Sequence, residues 1–309
     1  MIDRLMRRWR GAPIAMLHEF HRPPYGGGNQ FLLALRAELE RRGVPVGVGH
    51  VGPETQVVLF NSHHADIDDL RKIRRSDVRM VHRVDGPIGV YRGRDDGTDQ
   101  KIWQLNHECA DTTIFQSRYS LERHLAMGLE FRDPHVIPNA ADPTMFFAPP
   151  AHASSTPLRV VASSWSDNPR KGGPTYAWLD AHLDPTQVAF TFVGRIAQTL
   201  PNSRVVDALP SLDLAELLRQ QDVYLTASED DPCSNALIEA QTCGLPAVFR
   251  KSGGHPELVG MGGYGFDQPE EIPELLARAS RDYRELCARV DAPKLADVAD
   301  DYLHVMGLL

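Results

Sequence analysis

The alternation of short apolar or β-branched runs with longer amphipathic segments is the feature that most constrains the fold of this chain. Such alternation is typical of βαβ units, in which helices connect the parallel strands of a doubly wound sheet. A helix is predicted to begin near Asn29, because the letters FLLALRAELERRG place apolar residues at helical spacing, and to end at Gly43. The strands predicted in the first half are Ile14–His18, Val44–Val48, Val57–Asn61, Arg79–Arg83, Thr113–Gln116 and His135–Ile137.

Residues 148–157, which read APPAHASSTP, interrupt the alternation. Their Pro, Ala and Ser content and their lack of periodicity predict a linker. A last helix is predicted over roughly Arg281–Val305. The other elements predicted after the linker are the strands Arg159–Ser163, Ala189–Val193, Asp222–Thr226 and Pro246–Phe249 and the helices Leu214–Gln220 and Ser234–Cys243.

This organisation predicts an α/β protein with two Rossmann-like, doubly wound domains, residues 1–150 and residues 151–285, which face each other across a cleft. Residues 286–309 are expected to form a C-terminal helix that packs back on the first domain. Ligands of open α/β sheets bind beyond the carboxyl ends of the strands, so we expect the ligand in that cleft.

Composition and charge narrow the class of protein. The net charge of −8 disfavours a nucleic acid as the partner. No apolar run has the length of a membrane span, and the basic start MIDRLMRRWRG lacks the apolar core of a signal peptide. That start is either a frayed terminus or a peripheral contact with anionic lipid at the inner face of the membrane. The four cysteines, Cys109, Cys233, Cys243 and Cys287, form no Cys-x-x-Cys pair, which fits a cytoplasmic protein.

The segment SEDDPCSNALIEAQTCGLPAVFRKSGGHPELVG, from Ser228 onward, carries the strongest functional signal. Asp231 is predicted to cap the next helix, with Pro232 in its first turn. Ser234, Asn235 and Ala236 would then present backbone N–H groups to an anion. Glu239, a carboxylate in an otherwise apolar helix, needs a partner, and two ribose hydroxyls would satisfy it. The alternative is that Asp231 is only a cap and Glu239 only a solvated residue.

This segment resembles the donor-site signature of retaining GT-B glycosyltransferases, specifically glycosyltransferase family 4. The matching residues are Glu239-Ala240, Cys243-Gly244-Leu245-Pro246 and Gly253-Gly254-His255-Pro256-Glu257. The family has a glutamate eight positions before Glu239, and this chain has Asp231 there. The carboxylate is retained but is one carbon shorter, and Glu229 and Asp230 lie next to it.

The resemblance extends to other segments of the second half. Lys171-Gly172 matches the Lys-Gly that binds the donor diphosphate in the family, but the Gly-Arg that usually precedes it is missing. Arg170 can substitute, because an arginine fork suits phosphate oxygens. Gly194, Arg195 and Leu209 fall where the family lines its nucleotide pocket.

In the first half, the resemblance covers a glycine-rich loop and one strand end. Gly27 and Gly28 lie in PYGGGNQ, where the family approaches the donor phosphate, and His82 matches the histidine that faces the donor sugar. Contacts with the acceptor are expected from Asp85, Arg83 and Arg92.

The resemblance implies a retaining transfer of a hexose-type sugar from a nucleoside-diphosphate sugar to a hydroxyl of a glycan, glycolipid or small-molecule acceptor. His82, Asp231, Lys171 and Glu239 are the implied catalytic group, and cations and a helix start replace a divalent metal, so no metal or other cofactor is expected. The family analogy suggests bacterial polysaccharide or glycolipid assembly, and leaves the sugar, base and acceptor open. Two alternatives remain: a sugar-nucleotide epimerase, or a catalytically silent sugar-nucleotide-binding protein.

Asp66 and Asp68, which follow His63-His64, allow a competing interpretation as a metal-binding pair. The alternative is an acidic helix N-terminus, which the helix dipole favours. The pattern favours the helix start.

Overall fold

The computed structural model describes residues 12–22, 26–150 and 153–309. The basic start, for which a lipid contact was one of two alternatives, lies outside the described residues. The chain forms two compact units. Among the described residues, the first contains 12–21, Leu32–Asn139 and Leu295–Leu309, and the second contains 22, 26–31, 140–150 and 153–294.

The first unit is built on a six-stranded sheet with strand order β2-β1-β3-β4-β5-β6, in which all neighbouring strands are parallel. Parallel sheets are covered on both faces, so their central strands read as continuous apolar runs. All five residues of the central strand β3 are buried accordingly. The strands are β1 (Ile14–Leu17), β2 (Val46–Val48), β3 (Val57–Asn61), β4 (Arg79–Val84), β5 (Thr112–Phe115) and β6 (Pro134–Val136). The helices are α1 (Gly27–Arg41), α2 (Ile67–Ile73), α3 (Ile88–Arg92), α4 (Thr98–Cys109) and α5 (Arg118–Ala126).

The second unit repeats this plan with strand order β12-β11-β10-β7-β8-β9, again parallel throughout. Two apolar clusters cover the faces of this sheet, and Phe146 belongs to one of them. The strands are β7 (Leu158–Ser164), β8 (Val188–Gly194), β9 (Arg204–Val206), β10 (Val223–Thr226), β11 (Ala247–Arg250) and β12 (Gly263–Phe266). The helices are α6 (Gly173–His182), α7 (Ser211–Arg219), α8 (Asn235–Thr242), α9 (His255–Val259), α10 (Ile272–Arg281) and α11 (Tyr283–Ala288), with 3₁₀ turns at Pro169–Lys171 and Pro269–Glu271.

The last helix, α12 (Leu295–Met306), belongs to the first unit. Arg42, which follows α1, donates to the carbonyl of Ala296 at 2.7 Å and pairs with Asp300. Tyr302 is fully buried. The C-terminal segment is therefore part of the first core.

The ten strands predicted from the sequence are present within a few residues of their predicted bounds, and β9 and β12 were missed. β9 has three residues, two of them exposed, and β12 reads GYGF, in which the glycines hide the strand pattern. The prediction of one helix over Arg281–Val305 is wrong, because α11 and α12 are separate. Pro293 lies between them and disfavours a helical conformation of the residue before it.

Candidate functional site

A backbone hydrogen bond joins the carboxyl ends of β7 and β8. The N–H of Arg195 donates to the carbonyl of Ser164 at 2.8 Å. Gly194 has a φ of 112°, and a Cβ there would lie 2.0 Å from the same carbonyl oxygen, so only glycine fits. The exposed guanidinium of Arg195 lies 4.8 Å from the centre of the Trp165 ring. The predicted nucleotide-pocket residues Gly194 and Arg195 therefore lie at the carboxyl end of β8, against the end of β7.

The 3₁₀ turn Pro169–Lys171 is pressed against the end of β10. Asn168 caps the turn by accepting from the N–H of Arg170 at 3.0 Å. Gly172 follows with a φ of 89°, and a Cβ there would lie 2.6 Å from the Cβ of Ala227. The N–H of Glu229 donates to the carbonyl of Arg170 at 2.7 Å. These contacts fix Arg170 and Lys171 beside the segment that follows β10.

Three consecutive acids in that segment, Glu229, Asp230 and Asp231, are called the acidic triplet below. Each carboxylate pairs with a cation from another segment. The pairs are Glu229 Oε1 with Arg250 Nη2 at 3.0 Å, Asp230 Oδ2 with Arg170 Nη1 at 2.6 Å, and Asp231 Oδ2 with Lys171 Nζ at 2.8 Å. The predicted site residues Arg170, Lys171 and Asp231 are thus brought together, and Arg250, Glu229 and Asp230 join them.

Asp231 does not cap α8, so that part of the sequence prediction is wrong. Its carboxylate accepts from Lys171 and, at 3.3 Å, from the N–H of Cys233. Burial works against ionisation of Asp231, but the Lys171 ammonium holds the pKa of this carboxyl below its usual value. Ser234 is the cap instead, since its hydroxyl accepts from the N–H of Leu237 at 3.4 Å. The helix consequently begins at Asn235, and Pro232 precedes it.

The Gly253-Gly254 pair lies directly against Asp231. The N–H of Gly254 donates to the carbonyl of Asp231 at 2.9 Å. Gly253 has a φ of 63°, and a Cβ there would lie 2.2 Å from the same oxygen. Both the backbone conformation and the space therefore demand glycine at position 253.

His255 joins the ends of β10 and β11 from a fully buried position. Its Nδ1 lies 3.1 Å from the carbonyl of Arg250, so Nδ1 carries the proton and donates. Its Nε2, 3.2 Å from the hydroxyl of Ser228, then accepts. Burial lowers the pKa of His255, which fits a neutral ring with this tautomer. Sequence reasoning assigned His255 only as part of a motif match, and the structure gives it a positioning role.

Glu239 lies on α8, just over one turn from its start. The side chain is half-buried, and among the described residues its carboxyl has no hydrogen-bond or ion-pair partner. Burial raises the pKa of Glu239 to about 8. The side chain is thus only partly solvated, and its contact with a ribose stays a prediction.

The start of α1 also approaches α8. The second unit includes residues 26–31, and a Cβ on Gly27 would lie 2.4 Å from the side-chain nitrogen of Asn235. A Cβ on Gly28 would meet no atom within 4 Å. Leu209 is half-buried at the edge of the second core. The predicted residues Gly27 and Asn235 are therefore neighbours, whereas the contacts of Gly28 and Leu209 with a donor stay predictions.

His82 is buried in the first unit, within β4. Its Nε2 donates to the carbonyl of Ser62 at 3.0 Å, and its Nδ1 accepts from the amide of Asn106 at 3.3 Å. The ring stacks on Phe60 with centroids 4.4 Å apart. Burial lowers the pKa of His82 to about 4. Both ring nitrogens are engaged inside the unit, and a contact with a donor sugar stays a prediction.

Arg83 occupies the adjacent buried network with Asp85. Its guanidinium donates to Asn61 at 2.6 Å, to Asp85 at 3.1 Å and to Asn139 at 2.8 Å. Arg83 is fully buried, and its three bonds join the ends of β3 and β4 to the segment that follows β6. Arg92 is exposed at the end of α3 and pairs with Asp96 at 2.8 Å. Acceptor contacts from these residues stay predictions.

The helix-start interpretation of Asp66 is confirmed. Its carboxylate accepts from the N–H groups of Asp68 and Asp69 at 2.9 and 3.2 Å. Asp68 pairs with Arg71. Within residues 12–22, 26–150 and 153–309, no group of three or more His, Cys, Asp or Glu side chains is placed to hold a metal ion. No helix in the same ranges has the length and apolarity to cross a membrane.

The family model "Glycosyl transferases group 1" matches residues 191–291, about one third of the chain. This stretch contains β10, α8 and α9, and hence Asp231, Glu239 and Gly253.

Two curated proteins match part of the chain. One component of human phosphatidylinositol N-acetylglucosaminyltransferase is 28% identical over 138 residues, which is 40% of this chain and 28% of that protein. N-acetyl-alpha-D-glucosaminyl L-malate synthase from Bacillus anthracis is 33% identical over 75 residues, which is 23% of this chain and 20% of that protein. The chain thus spans less than a third of the length of either relative.

Solved structures match almost the whole chain at low identity. Sucrose-phosphate synthase from Thermosynechococcus elongatus has a TM-score of 0.71 and 16% identity, with 96% of this chain and 94% of that chain covered. Anabaena HepE in complex with UDP and glucose has a TM-score of 0.72 and 17% identity, with 96% and 99% covered. These matches confirm the predicted fold class, a GT-B protein with two doubly wound sheets.

Proposed function

We propose that the chain transfers a hexose-type sugar from a nucleoside-diphosphate sugar to an acceptor hydroxyl, with retention of the anomeric configuration. The observation that carries this proposal is the Glu239 carboxyl, which has no protein partner in the described ranges and whose pKa burial raises to about 8. A half-buried acceptor group that lacks a protein partner points to a ligand that supplies one.

A ribose fits the Glu239 carboxyl because its two neighbouring hydroxyls can each donate to one carboxylate oxygen. Such bonds favour the ionised form, so the bound ribose would lower the pKa of Glu239. The start of α8 lies one turn away, with the first-turn N–H groups at Asn235 and Ala236. A diphosphate attached to that ribose would reach these groups and the positive end of the helix dipole.

The departing diphosphate gains negative charge as the glycosidic bond breaks. Lys171, Arg170 and the start of α8 would stabilise this charge, the role that a divalent metal has in other transferases. We propose that the reaction therefore needs no metal, which activity in the presence of EDTA would test. Asp231, held beside Lys171 at 2.8 Å, would contact the sugar together with the backbone at Gly253 and Gly254.

The proposal of retention rests on the resemblance to family 4. In the described part of the site, each carboxylate already has an assigned partner. The three carboxylates of the acidic triplet pair with cations, and Glu239 is assigned to the ribose. We therefore propose attack on the face from which the diphosphate leaves, with a donor phosphate oxygen taking the proton of the acceptor hydroxyl.

The comparisons support the proposal at three points. The matched family model is named for glycosyl transferases and covers the site segment. Both curated relatives are named for N-acetylglucosaminyl products or transfer. Anabaena HepE was solved with UDP-glucose, and so UDP-glucose and UDP-N-acetylglucosamine are the donors to test first. A setting in bacterial polysaccharide or glycolipid assembly follows from the family resemblance.

A thermal-shift panel of nucleoside diphosphates and nucleotide sugars tests the proposal, since a ligand raises the melting temperature by mass action. The best donor is then incubated with sugar acceptors, and the product anomer is read by NMR. Lys171→Ala should lose transfer, whereas Lys72→Ala, which removes an exposed lysine paired with Asp69 on α2, should keep it. An isomerised donor formed without acceptor would indicate an epimerase. Binding without transfer or hydrolysis would indicate a silent binding protein.

A further inference from the structure

The acidic triplet neutralises the cations that surround it. Three carboxylates stand against three cations, so the formal charge of the six side chains is zero. An anion that approaches Arg170 therefore meets a guanidinium that already holds a carboxylate. The cost of separating that pair becomes part of the affinity for the anion.

The three pairs differ in their exposure to water. The side chains of Lys171 and Asp231 are 24% and 10% exposed, whereas those of Arg170 and Asp230 are 34% and 26% exposed. A pair in contact with water is weak, because water solvates each charge as the pair separates. The Arg170–Asp230 pair is therefore easier to open than the Lys171–Asp231 pair.

The backbone holds the two segments together without the Asp230 carboxylate. The N–H of Glu229 donates to the carbonyl of Arg170, and the N–H of Asp230 donates to the hydroxyl of Ser252 at 2.9 Å. Asp230 itself has a φ of 53°, a conformation that few residues other than glycine, asparagine and aspartate adopt. The segment thus keeps its position when the side-chain pair opens.

We propose that Asp230 sets the affinity of the site for its anionic ligand by competing with a phosphate group for the guanidinium of Arg170. The inference rests on the proposed function, which identifies that group as the diphosphate of a nucleotide sugar. Carboxylate and phosphate oxygens accept from the same guanidinium fork, so a phosphate that takes Nη1 displaces the Asp230 carboxylate. Asp230 returns to Arg170 when the diphosphate leaves, which favours release.

The Asp230→Asn variant tests the competition, because asparagine tolerates the positive φ and lacks the charge. Dissociation constants are measured by calorimetry for UDP, GDP, ADP and inorganic pyrophosphate. We expect Asp230→Asn to bind the diphosphate probes about three- to tenfold more tightly than the unsubstituted protein, as for loss of a partly exposed competing charge. Glu229→Gln removes the same charge from the neighbouring residue, whose partner is Arg250, and should change the constants less than about twofold.

Asp230→Asn is also made in an Arg170→Ala background, which removes the cation that Asp230 pairs with. There, Asp230→Asn should give no tightening, since the cation under competition is gone. Tightening that persists without Arg170, equal tightening in Glu229→Gln, or weaker binding in Asp230→Asn would each overturn the inference. Tighter pyrophosphate binding with no nucleoside diphosphate bound would overturn the proposed function and support the inference. No binding of either probe by any variant would overturn both.

Discussion

Replacing Glu239 by glutamine removes a titrating group and keeps the size of the side chain. The folded protein holds a proton on Glu239 up to a pKa of about 8, whereas the unfolded chain loses it near the ordinary glutamate pKa of 4.5. Between these values the folded state binds more protons than the unfolded state, so the free energy of unfolding falls as pH rises. The loss begins near pH 4.5 and is complete above about pH 8.

The size of this effect follows from the pKa difference. At about 1.4 kcal/mol per pKa unit, the shift from 4.5 to about 8 corresponds to at most about 5 kcal/mol. The side chain retains some solvent contact, so we expect about 2 kcal/mol. For a unit of this size, about 2 kcal/mol shifts the melting temperature by about 4–8 °C.

Melting temperatures are measured from pH 5 to pH 9 for the unsubstituted protein, Glu239→Gln and Glu216→Gln. Glu216 is an exposed glutamate of α7 and serves as the control. The Glu239→Gln protein should become the more stable one as pH rises, and the Glu216→Gln protein should follow the unsubstituted protein. Parallel curves for all three proteins would refute the reasoning from burial of this carboxyl.

Calorimetry in buffers of different ionisation enthalpy extends the same test to the ligand. A nucleoside diphosphate whose ribose binds the ionised carboxylate should release a proton at pH 7, and Glu239→Gln should show neither the release nor the affinity. Binding without proton release would place the ribose elsewhere.

Three further outcomes are expected. Lys171→Ala leaves the buried Asp231 carboxylate without its cation and should lower the free energy of unfolding in urea by about 1–3 kcal/mol at pH 7. The loss should become smaller as pH falls, because the carboxyl is then protonated. The same variant should lower turnover about 100-fold or more. In Gly253→Ala the new Cβ meets the Asp231 carbonyl, so the folded protein should lose more stability than in Gly307→Ala, where φ is 72° and the space is open. Equal losses of stability would contradict the close contact at Gly253. The NMR signals of the His82 ring should stay those of neutral imidazole down to about pH 5, and a midpoint near 6.5 would contradict its burial.

The sequence predicts the fold well because strand and helix periodicities are local. The start of α8 could not be predicted in the same way. Asp231 and Ser234 are both good helix caps, and the choice depends on Lys171, sixty positions away in the chain. Because Asp231 pairs with Lys171, Ser234 caps α8 instead.

The buried hydrogen-bond networks of His82 and Arg83 could not be predicted, for a different reason. They are neighbours on β4, whose faces are both covered, so neither alternation nor polarity shows which side chain reaches a ligand. The ribose contact of Glu239, inferred because a carboxylate in an apolar helix needs a partner, stays a prediction. Arg250 could have been found as a charged residue that ends a parallel strand beside the motif.

The charge balance of the acidic triplet has a consequence for the kinetics of ligand capture. A chain with a net charge of −8 repels anions at long range, and six side chains that sum to zero offer no positive field to guide them. Encounter would then be slowed by long-range repulsion, and the association rate constant would rise as ionic strength screens that repulsion. Selectivity among anions would arise after contact, in how fast each one dissociates.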